Sequence, residues 1–338
     1  MHKMKNHLLR LLIGLCLASC LTGGLRAGWF EESSAEYQVG NYQKAFEIVR
    51  EVAQEADASA QYTLGIMYDN GKGVARNYKE ATKWYRKAAD QGHLDAQYAL
   101  GEMYENGQGV TKDYKEAIKW YRKAAVQGGV LAQYTLGTLY DKGKGVTQNN
   151  KEAAKWFGKA AEQGYVDVQN NLGSMYSKGK GVPQDDKQAA KWYRKAAEQG
   201  YALAQYNLGL MYGKNQDYKE AAKWYLKAAE QGHLDAQYSL GLIYADEEEA
   251  ARDYKKAVKW YRKAAEQGYA IAQNSLGYMY AIGQGVIQDY VQAHKWWNLA
   301  AASGSVNAKK GRDMVADLMT PAQLAEAQKL AHEWKPGG

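Results

Sequence analysis

The chain holds two cysteines, three prolines and three phenylalanines in 338 residues. Both cysteines, Cys16 and Cys20, fall within the first 27 residues. The remainder therefore carries no disulfide framework and no thiolate chemistry, catalytic or metal-binding. So little proline excludes collagen and proline-rich low-complexity chains. No apolar run approaches the roughly 18–20 residues that a membrane-spanning helix requires. Charge of one sign is scarce too. The net charge of +7 leans on Lys3, Lys5, Arg10 and Arg26, in a 27-residue stretch without an acid, and setting those four aside leaves +3. A balance that near neutral gives no electrostatic reason to seek nucleic acid. The interspersed Lys and Glu read as solvated helix faces.

What is abundant is tyrosine, 28 copies, and tryptophan, 10 copies. Such numbers mean that something demands them at regular intervals. Aligning the chain on itself shows what. A phrase beginning Ala60-Gln-Tyr-Thr-Leu-Gly-Ile-Met-Tyr68 recurs from Ala96, Ala132, Val168, Ala204, Ala236 and Ala272, with a degenerate copy at Ala308. The spacing is 36 residues except for one step of 32. A second phrase keeps step, carrying Trp84, Trp120, Trp156, Trp192, Trp224, Trp260 and Trp296 in a Lys-Trp context. Tandem copies at one period are the mark of a repeat array, which grows by addition.

Each unit reads as two helices, A and B. Between them sits Gly71-Lys-Gly73-Val74, echoed at Gly107/Gly109, Gly143/Gly145, Gly179/Gly181 and Gly283/Gly285. Paired glycines mark a turn, and without a following Lys-Ser/Thr they are not a phosphate loop. Asn77-x-x-Glu80 and its counterparts at Asp113, Asn149, Asp185, Asp217 and Asp289 predict capping boxes at the start of helix B. Gly92 and its equivalents predict its end. Ala81, Trp84 and Ala88 share one face of helix B, so the tryptophan is read as core rather than as a sugar or base platform.

Met1–Ala27 has the parts of a secretory signal: the cations Lys3, Lys5 and Arg10, then the apolar Leu11–Ala18. Two cleavage readings stay open. Leu17-Ala-Ser-Cys20 resembles a lipobox, in which Cys20 is lipidated; the favoured reading is an ordinary cut after Ala27. The chain is thus expected to be exported, to the periplasm in the first instance, with an outer-membrane lipoprotein or a secreted protein as alternatives.

The repeated phrases resemble the SEL-one-like repeat, a relative of the tetratricopeptide repeat. The match runs from Ala-Gln-Tyr-x-Leu-Gly-x-Met-Tyr through Gly-x-Gly-Val to Ala-x-Lys-Trp-Tyr-x-Lys-Ala-Ala-x-Gln-Gly. The organisation it suggests is a signal at 1–27, a capping half-repeat at 28–56, seven repeats at 57–304, and a degenerate repeat with a closing helix at 305–338. Thr320 caps that helix and Pro321 opens its first turn. The resemblance implies an all-α, right-handed solenoid that serves as a non-enzymatic scaffold or adaptor for a protein or peptide partner. One cysteine-rich branch of the family is linked to weak β-lactam hydrolysis. This chain has no cysteine in its repeats, which puts transfer of a hydrolase activity in doubt.

Nothing in the sequence assembles an active site. His93 and His233 share one loop position four units apart, and His294 and His332 stand alone. No metal site and no cofactor are expected. Glu247-Glu-Glu249 is the sharpest acidic run and reads as the solvated front of a B helix. On helix A, positions 60, 61, 64, 65 and 68 share one side and keep nearly the same residue type in every copy. Positions 59, 63, 66 and 70 share the other side and vary. By the resemblance, helix A lines the concave face of the solenoid. The varying side reads equally as a partner surface or as plain solvated surface. Its candidate residues are Glu102, Thr138, Asn171, Ser174, Asn207, Leu210 and Tyr278. The fifth unit has lost four connector residues between Tyr212 and Tyr218, and the sixth carries glutamates where others carry glycines. A hinge or change of pitch is expected there.

Overall fold

The computed structural model describes residues 28–246 and 253–337. The signal segment with Cys20, and Glu247–Glu249, lie outside the described residues. Eighteen helices and no strand occur among those described. A front pair comprises α1 (Trp29–Gln38) and α2 (Tyr42–Gln54). The A and B helices of three repeats follow: α3 (Ala58–Asn70) and α4 (Tyr78–Asp90), α5 (Leu94–Asn106) and α6 (Tyr114–Val126), α7 (Val130–Lys142) and α8 (Asn150–Glu162). The next two are α9 (Val166–Lys178) with α10 (Asp186–Glu198), and α11 (Ala202–Lys214) with α12 (Tyr218–Glu230). The last two are α13 (Leu234–Ala245) with α14 (Tyr254–Glu266), and α15 (Ala270–Ile282) with α16 (Tyr290–Ala302). Helices α17 (Val306–Ala316) and α18 (Pro321–Glu333) close the chain. The architecture is an all-α repeat solenoid, in two compact units that meet in sequence between Tyr165 and Val166. Within each unit, every B helix packs on its own A helix and on the next one.

The helix ends follow local chemistry. At the start of α4, Asn77 Oδ1 accepts from the amides of Lys79 and Glu80, and Asp113 does the same for α6. The expected capping boxes are only half made. Glu80 does not reach back; it pairs with Lys83, 3.4 Å away, and Glu116 likewise pairs with Lys119. An ammonium three residues on, over the same turn, competes for the carboxylate. The full box forms between Thr320 and Gln323 at α18. At the other end of α4, Gly92 takes φ +91° and the His93 amide donates to the Ala88 carbonyl, which stops the helix as expected.

Packing explains the repeated phrases. In all seven A helices the phrase glycine lies under the aromatic ring that follows the B-helix tryptophan. A Cβ on Gly101 would fall 2.5 Å from the Tyr121 ring, and one on Gly65 would fall equally close to Tyr85. Ala81, Ala88, Ala117 and Ala124 are fully buried, so the helices approach closely along small residues. Trp84, Trp120, Trp156, Trp192, Trp260 and Trp296 are buried as read from the sequence. Trp224 is only half-buried. Val74, Val110, Val146 and Val286 of the Gly-x-Gly-Val turns join the clusters around Trp84, Trp120, Trp156 and Trp296. The shortened connector of the fifth repeat has no such valine, and Trp224 loses that cover. The same connector puts Gln216 at φ +61°, a left-handed conformation that side chains resist.

The lysines are not merely solvated. Lys87, Lys123 and Lys159 place their ammonium groups 4.1, 3.8 and 5.0 Å from the ring centres of Trp84, Trp120 and Trp156. Lys195, Lys227 and Lys263 repeat this over Trp192, Trp224 and Trp260. Each contact is worth about 0.5–1 kcal/mol when exposed.

Candidate functional site

The A helices have two sides with different duties. On the packed side, a buried glutamine ties three helices together. Gln97 Nε2 donates to the Ala89 carbonyl in the last turn of α4, and Gln97 Oε1 accepts from Gln127, which caps the end of α6. Gln61 with Gln91, Gln133 with Gln163, Gln205 with Gln231 and Gln237 with Gln267 repeat the pairing at 2.8–2.9 Å. In the seventh repeat the capping residue is Ser303, and Gln273 Oε1 is left buried without a partner. Sequence reasoning placed these glutamines on the packed side but missed the pairing. A polar residue repeated on a packed face was its signal.

The other side carries the candidate residues. In the unit that ends at Tyr165, Glu102 and Thr138 are half-buried, and Thr138 Oγ1 donates to the Tyr134 carbonyl. Next to this row lie Asp69 and Glu105, accepting from the phenols of Tyr85 at 3.5 Å and Tyr121 at 2.8 Å. Burial pushes the Tyr121 phenol well up, and the Glu105 carboxylate adds to it. Tyr98 is pushed up by burial and then by Glu102. The Tyr85 and Tyr121 phenols stay protonated and donate to the Asp69 and Glu105 carboxylates.

In the unit that begins at Val166, the same side is more apolar. Leu210, Leu242 and Tyr278 hold equivalent positions on α11, α13 and α15 and are 44%, 47% and 54% exposed. Asn171 is exposed and Ser174 half-buried, with Ser174 hydrogen-bonded to Tyr193. Asn207 is half-buried and donates to Asn170 Oδ1 at 2.9 Å. Tyr278 opens onto a groove of about 730 Å³ between α15 and α17, where Ile282, Met314 and Leu318 are also exposed. The last three were not singled out from sequence. Apolar residues on the varying side of α15 were the available sign for Ile282; the degenerate repeat concealed Met314 and Leu318.

The histidines turn out to be structural at two places. His93 and His233 cap α5 and α13, each Nδ1 accepting from an amide three residues on, at 3.3 and 3.4 Å. Their rings stack on Tyr62 and Tyr206 at 4.8 Å. Burial holds both below the ordinary imidazole range. His294 is buried with Nδ1 unpartnered, and His332 is exposed. Among the described residues no three His, Cys, Asp or Glu side chains converge in a metal-binding arrangement. No described helix is long and apolar enough to cross a membrane.

Tandem helical hairpins, each with one packed and one free A-helix side, define a helical-repeat protein. A family model described as the Sel1 repeat matches residues 58–93, 94–129, 130–165, 166–201, 202–233, 234–269 and 270–305, and the chain belongs to that family. It is similar to a solved Sel1 repeat protein from Oxalobacter formigenes, at 30% identity over 91% of this chain and 99% of that one, with a TM-score of 0.63. It is also similar to c5321, a protective antigen of uropathogenic Escherichia coli strains displaying an SLR fold. That match has 30% identity over 91% of this chain and 85% of that one, with a TM-score of 0.59. No curated protein matches the chain.

Proposed function

We propose that the chain is an exported, non-enzymatic scaffold that holds a protein or peptide partner along the free side of its A helices. The observation that carries this reading is the row Leu210, Leu242 and Tyr278. Three large apolar side chains at equivalent positions are about half exposed, whereas the Ala-Gln and Leu-Gly pairs of the packed side are buried in every repeat, Val168 standing for the alanine in one. Large apolar side chains exposed in register along one side are what an interaction site requires. Asn171 and Ser174 supply polar contacts on the same side of the second unit, and Glu102 and Thr138 hold the equivalent side of the first. Membership of the Sel1-repeat family supports a scaffold role. The signal-like residues 1–27 support export to the periplasm.

A photo-crosslinker at Tyr278 or Leu210, compared with one at the solvent-facing Lys155 of α8, tests the reading in envelope extracts. A partner joined from the first two positions and not from the third agrees with it. Crosslinks from Lys155 alone contradict it.

A further inference from the structure

A pocket of about 100 Å³ lies between α1, α2 and α3, and it is lined by Trp29, Phe30, Val49, Tyr62, Thr63 and Met67 among others. One position in its wall departs from the pattern of the repeats. Helix α2 is the B helix of the front pair, in register 36 positions before α4. A Cβ on Gly73 would meet the Tyr42 carbonyl as one on Gly109 would meet that of Tyr78, and Gln61 donates to Ala53 as Gln97 does to Ala89. In this register Val49 occupies the place of Tyr85. The corresponding residues in the other repeats are Tyr121, Phe157, Tyr193, Tyr225, Tyr261 and Trp297. All seven repeats fill the position with an aromatic ring; the front pair alone does not.

The polar edge of the pocket follows the same register. Tyr85, Tyr121 and Tyr193 bond within their own repeat, to Asp69, Glu105 and Ser174, whereas Tyr225 is hydrogen-bonded to Ser239, 14 residues on, in the next A helix. Thr63 stands 14 residues after Val49 and lines the pocket. Its hydroxyl donates to the Ser59 carbonyl at 2.8 Å, which leaves its oxygen able to accept. Close-packed interiors do not keep ring-sized voids without loss of stability. A dry apolar cavity of about 150 Å³ suffices to bind benzene, and this pocket, open on one side, admits a ring that projects slightly beyond it.

We infer that this pocket is a binding site for a small phenol, whose ring takes the place left by Val49 and whose hydroxyl bonds to Thr63. The chain itself shows the chemistry of the occupant, because tyrosine fills the site in five of the seven repeats. The inference is independent of the partner surface proposed above, since it concerns a cavity inside the first unit.

The test is a titration of the full chain with p-cresol and, separately, with toluene, followed by NMR and by thermal melting. Saturable shifts at Thr63 and Val49, a Kd on the order of 1 mM, and a higher Tm are expected with p-cresol. Val49→Phe should abolish the binding and melt no lower than the parent. Thr63→Val should weaken p-cresol about fivefold to tenfold and leave toluene unchanged. Contacts from the p-cresol methyl to Met67 place the ligand even if Val49→Phe fails to fold. Absence of saturable binding, or undiminished p-cresol affinity in Thr63→Val, overturns the assignment.

Discussion

The two compact units are built from the same repeat, yet their free sides differ. In the first, the position after the phrase tyrosine is acidic in every repeat: Asp69, Glu105 and Asp141. In the second, the same position holds Ser177, Gly213, Ala245 and Ala281. The first unit has three full Gly-x-Gly-Val turns, and all three of its repeat tryptophans, Trp84, Trp120 and Trp156, are buried. The second has the shortened connector beside the half-buried Trp224, and its free side exposes Leu210, Leu242 and Tyr278. The packed sides barely differ. Repetition has held what close packing requires and released what it does not, and the released positions have moved in opposite directions in the two units.

The largest expected contrast is in the tryptophans. Trp156→Ala should cost about 3–5 kcal/mol, and Trp224→Ala roughly 2 kcal/mol, because a half-buried side chain leaves a smaller cavity. Urea denaturation checks both, and nearest-neighbour coupling predicts that hydrogen exchange is lost around each site first. Equal costs would break the comparison. Tyr121→Phe should cost about 1–2 kcal/mol because its hydroxyl donates to a carboxylate, and Tyr193→Phe about half as much because its partner is a serine. Thermal melts of the two variants decide.

Acidification acts on both units through the capping histidines. Both are held below their ordinary value in the fold, so the unfolded chain binds more protons just below that value. Their contribution is complete above about pH 6.5 and is lost as pH falls through the lower folded value. His93→Asn and His233→Asn, which keep a capping side chain, should each flatten part of that loss in denaturation at pH 7 and pH 5. Variants that lose as much stability between those values as the parent chain contradict the capping role. The smallest effect is kinetic: limited proteolysis should cut first near residues 213–216, in the short connector, before any Gly-x-Gly turn of the first unit. First cuts at residues 71–75 would reverse the ranking.

Much of this was readable before the structure. The period fixes the helix pairs, Asn77 and Asp113 mark where helices start, and Gly92 marks where one stops, because caps and terminators are local chemistry. Helical spacing alone separates the packed from the free side of helix A. What escaped depends on distance. Gln61 and Gln91 are 30 residues apart, and nothing local announces that they bond. The glycine of the phrase reads as a helix weakness until the Tyr85 ring is seen above it. Glu80 looks like the second half of a capping box, and only the placement of Lys83 shows where it turns. Of the candidate residues, Leu210 and Tyr278 share the exposed row. Asn207 is engaged with Asn170, so its substitution tests stability as well as binding.

The most direct test of the account therefore replaces Glu102, Asn171, Leu210 and Tyr278 together, leaves Asn207 in place, and measures capture of the crosslinked partner beside helicity and Tm. Loss of capture with helicity and melting unchanged is the predicted result. Capture equal to that of the parent chain, or capture lost only when the outer faces of the B helices are exchanged, would contradict it.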